Sequence, residues 1–208
     1  MRLRLPSLVI AALPVLGSVP ATAAFDLTEM PLTIAGTWPV VAPTRGVEQL
    51  REVTLAAHNA ARAEAGSRPL EWDPALEASA AAYAAELAET GRFTHAVQSI
   101  DRWEGENLWK GTRDAFSYAD MARHWIDERR DYRPGTFPEV SRTGAWQHVG
   151  HYTQVIWSGT RAVGCATAQN AREEVLVCRY WPAGNVMGRA PVEIQMASAT
   201  SLENASAR

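Results

Sequence analysis

The run Gly150-His151-Tyr152-Thr153-Gln154-Val155-Ile156-Trp157 sets one histidine among β-branched and aromatic residues. An imidazole in such surroundings must either find a buried hydrogen-bond partner or look into a cleft. In a cleft it can carry a proton or ligate a metal ion. A second candidate is Glu128. Trp125, Glu128 and Tyr132 stand at i, i+3 and i+7, so on a helix one carboxylate shares a face with two aromatic rings. A carboxylate there is unusual without a partner. His148 forms a His-x-x-His pair with His151, but on a strand the two point to opposite faces, and His148 is read as incidental. His124, next to Trp125, reads as a solvated helix residue.

Several common chemistries have no sequence to carry them. The chain contains no H-E-x-x-H, no G-x-S-x-G elbow, no P-loop and no G-x-G-x-x-G. Cys165 and Cys178 are the two cysteines, and an even number in an export-bound chain makes a disulfide the expectation, with free thiols the alternative. If the chain turns over at 170–173, Cys165 falls opposite Cys178 as a non-hydrogen-bonded pair, the closer of the two antiparallel arrangements. Without a C-x-x-C spacing these two residues do not suggest a metal site.

The elements that must position these groups follow from caps and periodicity. Helix one is predicted over 47–65, with Leu50, Val53, Ala57, Ala60 and Ala61 as its apolar stripe and Gly66 as its stop. Asp73 caps a second helix that opens on Pro74 and ends at Gly91. Residues 105–109 read as a short strand or turn. A third helix is predicted from 114–117 to about Tyr132, before Pro134 and Gly135. Residues 150–157 read as a strand buried on both faces, because alternation leaves neither side purely polar. Helices around late hairpin strands predict an α+β domain with a mainly antiparallel sheet.

Length and composition bound the class. The chain has 208 residues, 47% hydrophobic and 21% charged, enough for one ordinary globular domain with appendages. Arg2 and Arg4, an apolar stretch from Leu5 to Val19 and Ala21-Thr22-Ala23 have the order of a secretory signal over 1–23, with an uncleaved anchor as the alternative. That stretch is short and broken by Pro6 and Pro14, so no transmembrane span is expected after its removal. Losing the two arginines takes the formal charge from −3 to −5, which offers no electrostatic footprint for nucleic acid. Residues 24–45 read as an extended lead-in, 46–189 as the domain, and 190–208 as a loosely held tail.

Two motifs in order resemble the signatures of the CAP superfamily of cysteine-rich secretory, antigen 5 and pathogenesis-related proteins. They are the run from Gly150 to Trp157 and Val175-Leu176-Val177-Cys178-Arg179-Tyr180-Trp181-Pro182-Ala183-Gly184-Asn185-Val186. His58-Asn59-Ala60-Ala61-Arg62 similarly resembles the family's opening helix, and its first two residues are read as local hydrogen-bonders. The resemblance implies a three-layer α-β-α sandwich. It also implies that His95, Glu106, Glu128 and His151 converge on a cleft, with Asn107 and Gln154 as hydrogen-bonders behind them.

That set supports several functions. Two neutral imidazoles, His95 and His151, can ligate a divalent ion, zinc above others, with the carboxylates coordinating or orienting them. Without metal, each glutamate can hold a histidine proton in a buried polar network. The leading expectation is a non-enzymatic exported module that binds a lipid or other small apolar ligand, or an envelope or extracellular protein. A metal-dependent, peptidase-like hydrolase with Glu106 or Glu128 as base is the second reading. A structural or defence-related secreted domain with a vestigial site is the third.

Overall fold

The computed structural model describes residues 45–98 and 103–192. The expected leader, the lead-in up to residue 44 and the tail beyond Val192 lie outside the described residues. The elements are α1 (Val47–Ala65), β1 (Glu71–Trp72), α2 (Pro74–Thr90), β2 (Gly105–Thr112), α3 (Tyr118–Ile126), α4 (Gly150–Val155), β3 (Ala162–Gln169) and β4 (Glu173–Trp181). Short 3-10 turns cover Asp127–Arg130 and Trp146–His148.

The strands form one sheet in the order β1-β3-β4-β2. β2 pairs antiparallel with β4, and β4 with β3; the two-residue β1 adds a parallel edge on β3. The sheet is therefore mixed, because the β1 dipeptide runs alongside β3 rather than against it. Alternation along the strands gives the sheet two apolar faces. Ala80, Ala84, Leu87 and Ala88 of α2 cover Leu108, Val175 and Val177 on one. Leu50 of α1 with Tyr118, Met121 and Trp125 of α3 cover Trp109, Val163, Leu176 and Tyr180 on the other. This is the expected α+β sandwich of three layers.

Local chemistry explains most boundaries. The Asp73 carboxylate accepts from the N–H groups of Ala75 (2.7 Å) and Leu76 (3.2 Å), and Gly91 ends α2 with φ 68°. The N-terminus of α2 lies so close to β3 that a Cβ on Gly164 would sit 2.2 Å from the Glu77 nitrogen. Ser117 and Asp120 form a capping box at the start of α3. The β3–β4 hairpin turns at the expected place, with Asn170 Oδ1 accepting from Arg172 and Glu173 N–H at 2.9 and 2.8 Å. The register sets Cys165 opposite Cys178, their Cα atoms 4.1 Å apart and their sulfurs bonded.

Three expectations need correction. Residues 105–109 belong to an eight-residue strand, β2, which extends to Thr112. The third helix stops at Ile126, and Glu128 lies in the 3-10 turn that follows. The largest change concerns residues 150–157, which form helix α4 and its exit instead of a strand. Tyr152, Thr153, Gln154 and Val155 are all buried. A short run buried on every side has no periodicity to separate helix from strand, so packing overrides its β propensity.

Candidate functional site

A six-residue helix has too few internal hydrogen bonds to persist alone. α4 draws its end groups from elsewhere in the chain. At its N-terminus, Glu128 Oε2 accepts from the N–H groups of His151 and Tyr152, each at 3.0 Å. At its C-terminal side the buried Arg62 of α1 donates from Nη1 to the carbonyls of Val155 (2.8 Å) and Trp157 (2.9 Å). Arg62 also donates to the carbonyls of Arg68 and Thr160, while the Ser67 hydroxyl donates to Ile156 O at 2.7 Å. An anion at the start and a cation at the end both complement the helix dipole. Burial pushes the Arg62 guanidinium down to about 10, so it stays charged at neutral pH.

This arrangement delivers His151 to Glu128. The other carboxylate oxygen, Oε1, lies 2.6 Å from His151 Nδ1, and the imidazole stacks on the Trp125 ring at 6.1 Å between centroids. Asn107 Nδ2 donates to the His151 carbonyl at 3.2 Å and to the Tyr180 hydroxyl at 3.1 Å. Gln154 does something different. Its Oε1 accepts from Gly184 N–H at 2.8 Å and its Nε2 donates to Thr160 Oγ1 at 3.2 Å. Gln154 thus fastens α4 to the segment after β4, and it packs so close to the start of β2 that a Cβ on Gly105 would fall 2.3 Å from that Oε1.

The second pair is built from a segment without regular secondary structure. His95 Nδ1 lies 2.6 Å from Glu106 Oε1, which also accepts from Ala96 N–H at 3.1 Å. Tyr83 of α2 donates to Thr94 O at 2.6 Å and so pins the same segment to the helix. The His95 side chain is 65% exposed against 33% for His151, so one imidazole is open to solvent and the other is recessed. Burial, then the charge of Glu106, raises the Tyr83 phenol above its ordinary value.

In both pairs a carboxylate accepts at Nδ1, so Nδ1 carries a proton, and in the neutral ring Nε2 is the nitrogen with the lone pair. Two imidazoles in that tautomer, each backed by a carboxylate, have the donor chemistry of metal-bound histidines. Among the described residues, however, no group of three or more His, Cys, Asp or Glu side chains is arranged to hold a metal ion. The carboxylates orient the imidazoles and do not complete a ligand set.

His148 is exposed, with its Nδ1 2.8 Å from Thr143 Oγ1, and His124 is exposed with its Nδ1 donating to Asp120 O at 2.8 Å. His58 and Asn59 do serve the helix and its neighbours. Asn59 accepts from Leu70 N–H and donates to Leu70 O. His58 Nδ1 donates to Thr54 O, so its Nε2 accepts from the Tyr180 hydroxyl, each at 2.8 Å. Burial pushes the His58 imidazole down to about 4 and the Tyr180 phenol well up. Glu104, Arg179 and Tyr180 escaped the sequence reading. The i, i+2 spacing of Glu104 and Glu106 places two carboxylates on one side of an extended chain, but it names no partner for them.

The family model of the cysteine-rich secretory protein family matches residues 55–180. Pathogenesis-related protein 1A of Nicotiana tabacum is 40% identical over 139 residues, covering 66% of this chain and 77% of that protein. Pathogenesis-related protein PRMS of Zea mays is 34% identical over 140 residues, covering 66% and 79%. Among solved structures, NaASP2 with Zn2+ superimposes with a TM-score of 0.59 at 24% identity, over 74% of this chain and 89% of that one. BmVAL-1 superimposes with a TM-score of 0.58 at 23% identity, over 72% and 84%. These likenesses carry the fold, while the family model spans His95, Glu106, Glu128 and His151, the whole of the first motif and the second as far as Tyr180. The chain belongs to the cysteine-rich secretory protein, or CAP, family.

Proposed function

We propose that this protein is an exported binding module rather than an enzyme, and that His95 and His151 bind a zinc ion through Nε2. The observation that carries the reading is the occupation of both carboxylates. Glu106 engages His95 and Ala96 N–H through Oε1 and pairs with Arg179 through Oε2. Glu128 holds the His151 ring with one oxygen and two backbone N–H groups with the other. A general base must turn an acceptor towards a bound water or substrate. Here each carboxylate is committed to positioning, which favours binding over hydrolysis. His95 and His151 would hold the ion through their Nε2 atoms, and its charge would neutralise part of the site's negative charge. Two protein ligands make a weak site, and the Zn2+ carried by the NaASP2 structure is consistent with that use.

A second surface supports the apolar-ligand part of the reading. A cavity of about 640 Å³ opens where α1 ends, lined by Ala65, Tyr132, Pro134, Tyr152 and Val192, with Glu64 at its side. That volume and lining suit a small, largely apolar molecule.

Calorimetric titration with zinc, on wild type and on His95→Ala, His151→Ala and His148→Ala, tests the metal reading. Wild type and His148→Ala should bind, and the other two should not. Affinity should fall as pH drops through the imidazole range, because both ligands must be neutral. Absence of zinc uptake by wild type, with both variants destabilised equally in chelator and in zinc, would overturn it. Mass spectrometry of lipids that co-purify tests the cavity.

A further inference from the structure

The Glu106 carboxylate has a cation at its back. Arg179 of β4 stands opposite Glu106 in the β2–β4 register, so both side chains project from the α2 face of the sheet. Each side chain is only 5% exposed, and Nη2 lies 2.9 Å from Glu106 Oε2. Nη1 lies 3.9 Å from Glu104 Oε2, which in turn accepts from the Ser79 hydroxyl at 2.7 Å. The guanidinium carbon sits 5.2 Å from the centroid of the Tyr83 ring. A chain of polar groups thus runs Ser79, Glu104, Arg179, Glu106, His95.

The approach of Arg179 to Glu106 is an ion pair without hydrogen-bond alignment. Arg179 Nε and Glu106 Oε2 are both buried and have no hydrogen-bond partner among the described residues. Attraction between them is that of charge in a water-poor place, not of a directed fork. The other pair is built differently, with backbone N–H groups on the distal oxygen of Glu128 and an aromatic ring against His151. The His95 ring is exposed, and among the described residues Glu106 is its hydrogen-bond partner.

We propose that Arg179 is a positioning residue for His95: its charge keeps Glu106 turned as an acceptor towards Nδ1, and so holds the imidazole in the Nδ1–H tautomer. That Nε2 is then the nitrogen offered to zinc rests on the reading given above; the tautomer assignment does not. The dependence is one-sided. Arg179 acts on His95 and leaves His151 alone.

Long-range proton–nitrogen spectra of the histidine-labelled chain in chelator read the tautomers directly. Wild type should show His95 and His151 both as Nδ1–H. Arg179→Gln should shift His95 towards Nε2–H and leave His151 unchanged, whereas Arg179→Lys, which keeps the charge, should restore the wild-type pattern. Arg179→Gln removes the cation beside the buried Glu106 carboxylate and near Glu104, so Glu104→Gln combined with Arg179→Gln serves as the second variant and should behave alike. Zinc affinity in Arg179→Gln should drop about tenfold, as for other residues that orient a metal-bound histidine. His95 found as Nε2–H in wild type, or retained as Nδ1–H in either glutamine variant, would overturn the proposal. So would a lysine variant that behaves like the glutamine one. If wild type takes up no zinc while the tautomers respond as stated, the zinc reading fails and the role of Arg179 stands.

Discussion

Glu106 and Asn107 are neighbours on the edge strand β2, and they serve the two histidines from opposite faces of the sheet. Glu106 Oε1 lies 2.6 Å from His95 Nδ1, while Asn107 Nδ2 donates to the His151 carbonyl at 3.2 Å. The alternation of a strand makes this possible, since successive side chains leave on opposite sides. One residue step along β2 thereby ties the α2 layer to the layer of α3 and α4. A register slip of one residue would exchange the two and dismantle both halves.

Glu128 has two tasks, and its replacement should expose both. Glu128→Ala removes the acceptor for two N–H groups of α4 and frees the His151 ring. Loss of a helix cap of this kind costs about 1–2 kcal/mol, a lowering of Tm by several degrees. Glu128→Gln, which retains an acceptor oxygen, should fall between wild type and alanine in thermal melts. A Tm for Glu128→Ala equal to wild type would refute the capping role.

Arg62 should be among the most sensitive positions in the chain. Its guanidinium donates to the carbonyls of Arg68, Val155, Trp157 and Thr160, and the last three of these hydrogen bonds are buried. Arg62→Met should destabilise by at least about 3 kcal/mol, given the cost of leaving several buried acceptors unmade. Arg62→Lys should recover little, because an ammonium cannot span the same carbonyls. Urea denaturation of both variants checks the order.

Acid should weaken the fold through His58. The native imidazole is neutral down to about 4, while in the unfolded chain it titrates near 6.5. Between those values the unfolded state binds more protons, so stability falls as pH falls through that window and levels off below it. The loss should approach about 3 kcal/mol. Urea midpoints followed across the window should show it, and His58→Gln, though less stable at neutral pH, should lack that slope. A wild-type midpoint flat over the window would exclude the effect.

The disulfide joins strands already in register, so its removal should leave the hairpin formed but weaker. Cys165 and Cys178 are 13 residues apart, and a loop of that size contributes about 3 kcal/mol. Reduction should lower Tm by several degrees, with non-reducing peptide mapping showing Cys165 joined to Cys178. Free thiols in protein purified from an oxidising compartment would contradict the pairing.

Elements whose signals are local were legible in the sequence. Gly66, Asp73-Pro74 and Gly91 mark the ends of α1 and α2 by conformations and caps that need no distant partner. The turn at Asn170 set the hairpin register, and with it the pairing of Cys165 and Cys178. Glu128 was suspected because a carboxylate on an aromatic face demands a partner, and the partner proved to be both the His151 ring and the backbone beside it. Residues 150–157 were misread as a strand for a physical reason. Their helix is closed by Glu128 at one end and by Arg62 and Ser67 at the other, donors and acceptors 23 to 95 positions away that no local pattern contains. The ion pair of Arg179 with Glu106 was equally out of reach, since a lone arginine between apolar residues declares neither its face nor its partner. Caps, turns and alternation are written in neighbouring residues; the satisfaction of buried ends and charges is decided by which distant side chains the packed layers bring to them.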